Sequence, residues 1–132
     1  MKREIEFRGI YPHSGTFFYG DLVTHFPETV RIVAENSSTP VLIETVGQYI
    51  NLTDKTGVKI FEDDICTKMI SPDENNLAPK ELYRGIVVYH FGGFCLKVGD
   101  YYYPMSRTSP VIHVIGNIHQ TPELLLPQPH AK

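Results

Sequence analysis

At 132 residues, with 42% hydrophobic and 20% charged side chains, the chain has the make-up of one ordinary globular domain that needs neither metal nor disulfide to fold. Its net charge of −3 supplies no field to gather a phosphate backbone, so general nucleic-acid binding is disfavoured. Two cysteines, Cys66 and Cys95, are too few for a disulfide framework, and both sit in apolar runs that suit buried thiols.

Strand signals dominate from the start. Arg3-Glu4-Ile5-Glu6-Phe7-Arg8 alternates with a period of two, which predicts a half-buried strand with Ile5 and Phe7 inward and the charges outward. After the Pro12-His13-Ser14-Gly15 turn cluster, Thr16 to Tyr19 reads as a strand, and Gly20-Asp21 as a tight turn into Leu22-Val23. Thr29 to Val33 and Val41 to Ile43 are β-branched runs, with Asn36-Ser37-Ser38-Thr39-Pro40 a loop between them on composition. Ile65 to Ile70 is a further strand, closed by a polar run from Ser71 to Pro79 that belongs on the surface. Phe18 to Val23 and Ile60 to Ile65 both run aromatic, acidic turn, aliphatic strand, which reads as one local solution used twice.

The second half is more sharply punctuated. Gly85 to Tyr89 and Phe94 to Val98 predict a hairpin turned at Gly92-Gly93. Gly99-Asp100 then turns the chain into Tyr101-Tyr102-Tyr103, and Val111 to Ile115 supplies another strand. Thr121 as N-cap, Pro122 at the first helical position and Glu123 predict one helical turn, stopped by Pro127 and Pro129. Residues 128–132 read as a disordered tail. Closely spaced strands with glycine turns predict a mostly-β chain, α+β at most, built as a small barrel or coiled sheet with one short C-terminal helix. No stretch approaches the roughly 20 apolar residues of a membrane span, and the N-terminus has no apolar signal core, so the expected location is the cytoplasm.

The most specific stretch is Val46-Gly47-Gln48-Tyr49-Ile50-Asn51-Leu52-Thr53-Asp54-Lys55-Thr56-Gly57-Val58-Lys59-Ile60-Phe61-Glu62-Asp63-Asp64-Ile65. With Val114-Ile115-Gly116-Asn117-Ile118, Pro122-Glu123-Leu124-Leu125, the Arg3 to Arg8 opening and Gly85 to Tyr89 with Phe94, it resembles the signature of the YopX-like family of phage and prophage proteins. Where the family pattern has Thr-Gly this chain has Ile50-Asn51, and where it has Glu-Gly-Asp this chain has Glu62-Asp63-Asp64. Asn and Asp are the non-glycine residues that best tolerate a left-handed backbone, so both turns are expected to persist at some cost in strain. The resemblance implies one domain over 1–127 with small coiled or bifurcated antiparallel sheets, in an accessory protein of the bacterial host cytoplasm. It supplies no catalytic residue.

Gln48, Tyr49, Asn51, Leu52, Asp54, Gly57, Glu62, Asp64, Gly116 and Asn117 are the signature residues, and their chemistry suits turns. Asp54 is placed to accept backbone amides ahead of it and Gly57 to take a positive φ, with Leu52, Val58, Ile60 and Phe61 anchoring the ends. The functional alternative is that Asp54, Lys55, Glu62 and Asp64 display a polar site around a groove. Glu62-Asp63-Asp64 lacks the spacing and glycine of a calcium loop. Six histidines show no His-x-x-x-His pair, and no Cys-x-x-Cys is present, so neither metal nor cofactor is expected.

Aromatic residues carry the remaining signal. Tyr101, Tyr102 and Tyr103 run together near Tyr89, Phe91 and Phe94, and alternation along a strand sends at least one tyrosine outward. Exposed tyrosines anchor protein interfaces; beside Arg84, Lys97 and Arg107 they also suit stacking on single-stranded bases. The expected function is a non-enzymatic, self-associating interaction module that meets an unidentified host or phage protein. Single-stranded nucleic-acid binding is the first alternative. A metal-assisted hydrolase using His113, His119 and the acidic turn is the second.

Overall fold

A computed structural model describes residues 3–26, 29–70, 80–105 and 112–126. The polar run from Ser71 to Pro79, Arg107, Val111 and the C-terminal tail lie outside the described residues. Within the span read as one domain, the chain gathers into two units, Met1–Asn51 and Leu52–Lys132. The described strands form antiparallel sheets, and the helical turns at Ile43–Thr45 and Pro122–Leu125 are of the tight 3₁₀ kind.

In the first unit, β1 (Phe7–Ile10), β2 (Phe17–Phe26), β3 (Thr29–Ala34), β4 (Ser37–Val41) and β5 (Gly47–Thr53) take the order β4-β3-β2-β1-β5. Val30, Ile32 and Val41 form the buried cluster, with Phe7, Phe18, Leu22 and Val46 packed on it. A 3₁₀ turn at Ile43–Thr45 closes over β1: Thr45 Oγ1 accepts the buried Ile10 amide at 2.9 Å and donates to the Leu42 carbonyl at 2.6 Å.

Several local expectations change here, and of the Val41 to Ile43 strand only Val41 lies in β4, because Ile43 opens the 3₁₀ turn. The opening strand starts at Phe7, which packs inward as expected, but Ile5 is 60% exposed and Arg8 is only 5% exposed. β1 is paired on both sides, and the Arg8 guanidinium lies 4.1 Å above the centre of the Phe17 ring, which offsets part of its desolvation. The Asn36 to Pro40 loop is largely strand: Glu35-Asn36 makes the turn, and Ser37–Val41 pairs with β3, burying Thr39 and Val41. Pro40 is tolerated because β4 is the sheet edge. Gly20-Asp21 is no turn, since β2 runs straight through it. A Cβ at Gly20 would stand 2.3 Å from the Val33 carbonyl oxygen, so this glycine serves close strand approach. The likeness between Phe18–Val23 and Ile60–Ile65 is therefore compositional, because only the second contains a turn.

β5 runs past Asn51 into the second unit, where its end turns back as β6 (Lys59–Phe61). β7 (Asp64–Ile70), β8 (Lys80–His90), β9 (Gly93–Val98), β10 (Tyr101–Pro104) and β11 (Ile112–Asn117) form a sheet of order β10-β9-β8-β7-β11. Residues Cys66, Val87, Leu96 and Ile112 share one face and are fully buried. Cys95 is half-buried, and neither cysteine is in a disulfide. The C-terminal helical turn is a 3₁₀ turn, Pro122–Leu125, and Thr121 does not cap it. Instead Thr121 Oγ1 accepts the Asn117 amide and donates to the Asn117 carbonyl, both at 3.1 Å.

Candidate functional site

The signature stretch builds two turns. Asp54, buried, accepts the Thr56 and Val58 amides on Oδ1 at 2.9 Å each, and the Thr56 hydroxyl at 2.8 Å. Its other oxygen, Oδ2, accepts the Val114 amide of β11 at 3.0 Å. Burial pushes the carboxyl upward, but the hydrogen bonds from Val114, Val58 and Thr56 outweigh it and hold Asp54 below the ordinary carboxylate range. Gly57 closes the turn at φ 90°, where a side chain is strained.

The second turn joins β6 to β7. Asp64 Oδ2 accepts the Phe61 amide at 2.8 Å, and Asp63 sits at φ 73°. Asp63 is further fixed by its own amide on Val87 O, by the Ile118 amide on its carbonyl, and by His119 Nε2, 2.9 Å from its carboxylate. Asn51 stands at φ 65°, with its carboxamide exchanging two 2.8 Å hydrogen bonds with the Glu4 backbone. Asn and Asp at the two family glycine positions thus adopt the left-handed backbone expected of them.

Among the other signature residues, Gln48 pairs with Phe7 in the β1–β5 ladder, and the Tyr49 amide donates to Glu6 O. Leu52 lies near the end of β5, and half-buried Glu62 shares the second turn with Asp63. Asn117 Oδ1 accepts the His119 and Gln120 amides, and a Cβ at Gly116 would fall 2.1 Å from Thr121 Oγ1. His113 lies elsewhere, opposite Thr67 on β7, so it does not join His119 and the acidic turn. Among the described residues, no three of His, Cys, Asp and Glu converge as a metal-ligand set.

The aromatic residues gather on β8, β9 and β10, on the side of the sheet away from β11. β8 and β9 are joined by Phe91-Gly92, both at positive φ (47° and 84°), the backbone of a type I′ turn. The turn is thus one residue earlier than the glycine pair suggested. The Phe91 ring is 97% exposed and lies 4.2 Å from the His90 ring. His90 stacks on Tyr102 at 3.7 Å and 4°, and Lys97 Nζ lies 5.9 Å from the Tyr102 centroid. Tyr89 and Tyr101 are 61% and 71% exposed, while Tyr103 turns to the opposite face from Tyr102 and stacks on Tyr83 at 4.5 Å.

Arg84, expected beside these tyrosines, is engaged elsewhere. Its Nε and Nη2 reach Glu81 at 3.1 and 2.7 Å, and its Nη1 donates to Leu124 O at 2.7 Å. His90 and Phe91 are the members that sequence reasoning left out of the site. Their signal was a phenylalanine in a hairpin position that normally takes Asn or Gly.

This architecture, antiparallel sheets with turns shaped by Asp54, Asp63 and Asn117, places the protein in the all-β class. Among the described residues no helix is long and apolar enough to cross a membrane. The chain belongs to the YopX protein family, whose model matches residues 14–126. Its fold is similar to that of protein EF1440 from Enterococcus faecalis, with a TM-score of 0.60 at 20% identity, over 94% of this chain and 99% of that one. No curated protein matches it.

Proposed function

We propose that this YopX protein is a non-enzymatic, self-associating interaction module of phage or prophage origin, working in the host cytoplasm on a host or phage protein. The observation that carries the reading is Phe91. A bulky residue at φ 47° is strained, and a ring 97% exposed gains nothing from the core. Asn would serve the turn better on both counts. A side chain that costs the free protein stability fits a role in binding, where an aromatic anchor is desolvated by its partner.

A second copy is the favoured first partner, because the two edges of the five-stranded sheet differ. On the β11 side, the Lys55 amide and the Asp54 carboxylate satisfy Ile112 O and the Val114 amide. On the β10 side, no described strand pairs outside Tyr101–Tyr103. An unpaired edge flanked by exposed aromatics is suited to strand pairing between copies. Light scattering across the micromolar range tests this. The wild type should show mass rising with concentration and the Phe91→Asn variant should stay monomeric; a wild type that is monomeric throughout sinks the reading.

The Lys97–Tyr102–His90 column favours one second reading, a stacking platform for single-stranded nucleic acid. Its test is salt-sensitive retention of single-stranded DNA or RNA that is lost on Tyr102→Ser; no retention at low salt excludes it.

A further inference from the structure

On the face of the sheet opposite Val87 and Leu96, the second unit holds a cleft of about 400 Å³, within the size range of small-molecule sites. His113, Thr67 and Arg84 lie side by side across β11, β7 and β8 along it. Arg84 and Glu81 close one side as a bidentate pair that neutralises itself. Met69 gives an apolar wall, and so does Ile115, the extra residue of a β-bulge between Val114 and Gly116. Thr67, buried, offers its hydroxyl at the base.

Lys55 reaches this cleft because the signature turn is docked on β11. Its amide donates to Ile112 O at 3.0 Å, and Asp54 takes the Val114 amide, so the two bonds bracket His113. The Lys55 side chain makes no ion pair among the described residues, nor does that of His113. With Arg84 matched by Glu81, Lys55 is the one lining charge left unopposed among the described residues.

We infer that the cleft binds a small organic acid, a single carboxylate on an apolar body. The carboxylate meets Lys55 and His113, and the hydrocarbon lies on Met69 and Ile115. A charge-assisted contact to the lysine fixes orientation, while apolar area supplies most of the affinity. The Asp54 turn then has a second consequence beyond capping: it positions the cation of a ligand site.

Octanoate titrated into the full chain tests this by calorimetry, with amide shifts followed by NMR. Expected are saturable binding, shifts centred on Thr67, His113 and Lys55, and about a tenfold loss of affinity in Lys55→Met, which keeps the backbone bonds of the turn. Octanol, the same length without the charge, should bind at least tenfold more weakly, and Phe91→Asn should bind octanoate as the wild type does. Equal binding of octanol, unchanged affinity in Lys55→Met with its melting temperature preserved, shifts centred elsewhere, or no saturable binding would each overturn the assignment. Because Phe91 lies outside the cleft, failure here leaves the interaction module standing, and failure of self-association leaves this site standing.

Discussion

Val114 and Asp54, sixty residues apart, are joined by a hydrogen bond from the Val114 amide to Asp54 Oδ2 at 3.0 Å. That carboxylate is the corner at which the β5–β6 turn is fastened to the edge of β11. Replacing Asp54 by Asn keeps one acceptor but turns an amide N–H₂ toward a donor. Asp54→Asn should therefore lose about 3 kcal/mol of stability in urea unfolding, the worth of charge-assisted bonds broken in a buried place. An unchanged midpoint would show that the turn holds without the charge.

The same carboxylate gives a pH dependence of known sign. Its folded pKa lies below the ordinary value, so its contribution is complete above the unfolded carboxylate pKa and is lost as pH falls through the folded one. Between about pH 5 and the acid limit, wild-type stability should fall more steeply than that of Asp54→Asn. Parallel acid-unfolding curves would contradict this.

Phe91→Asn separates folding from binding. Asn-Gly is the preferred pair for a turn with two positive φ angles, so the variant should gain about 1 kcal/mol while losing self-association. A variant that is less stable than the wild type would mean that the Phe91 ring serves the monomer, through His90, and is no binding anchor.

What the residues revealed by themselves follows from the range of each interaction. Gly57, Asn51 and Asp63 were legible because a left-handed backbone is a local demand with few chemical solutions. The Gly99-Asp100 hairpin was legible for the same reason, with Gly99 at φ 58°. The Phe91-Gly92 turn was misplaced by one residue because Gly92-Gly93 offers two registers, and only the β8–β9 pairing chooses between them. β4 was hidden because Ser, Thr and Pro look like a loop until an edge position and the β3 partner supply the bonds. Of the cleft only Lys55 was named in advance, as part of a polar groove, since His113 and Arg84 come beside it only through the docked Asp54 turn and the pairings of β11, β7 and β8.

Tyr83 should titrate above an ordinary tyrosine. Burial raises the Tyr83 pKa, and the nearby Tyr103 phenolate raises it further. Stability tied to Tyr83 is complete below the ordinary tyrosine pKa and is lost as pH rises through the folded value. Tyr103→Phe should lower the Tyr83 pKa, as read by NMR of ring-labelled tyrosine, while burial keeps it above the ordinary value. No movement on that substitution would show that burial acts alone.

The two glycine replacements test whether strain or side-chain bonding decides these turns. Asp63→Gly relieves a left-handed Asp, roughly 1 kcal/mol, and keeps the backbone bonds to Val87 and Ile118. It gives up only the partly exposed contact with His119, which is worth about as much, so its stability should lie near that of the wild type. Asn51→Gly gains a similar relief but loses both bonds by which the carboxamide engages the Glu4 N–H and C=O. Those bonds extend the attachment beyond Tyr49, whose amide is held by Glu6 O. Asn51→Gly should accordingly cost about 1 kcal/mol net and speed hydrogen exchange at Glu4. Equal stability of the two variants would mean that the Asn51 carboxamide bonds add nothing beyond what water supplies.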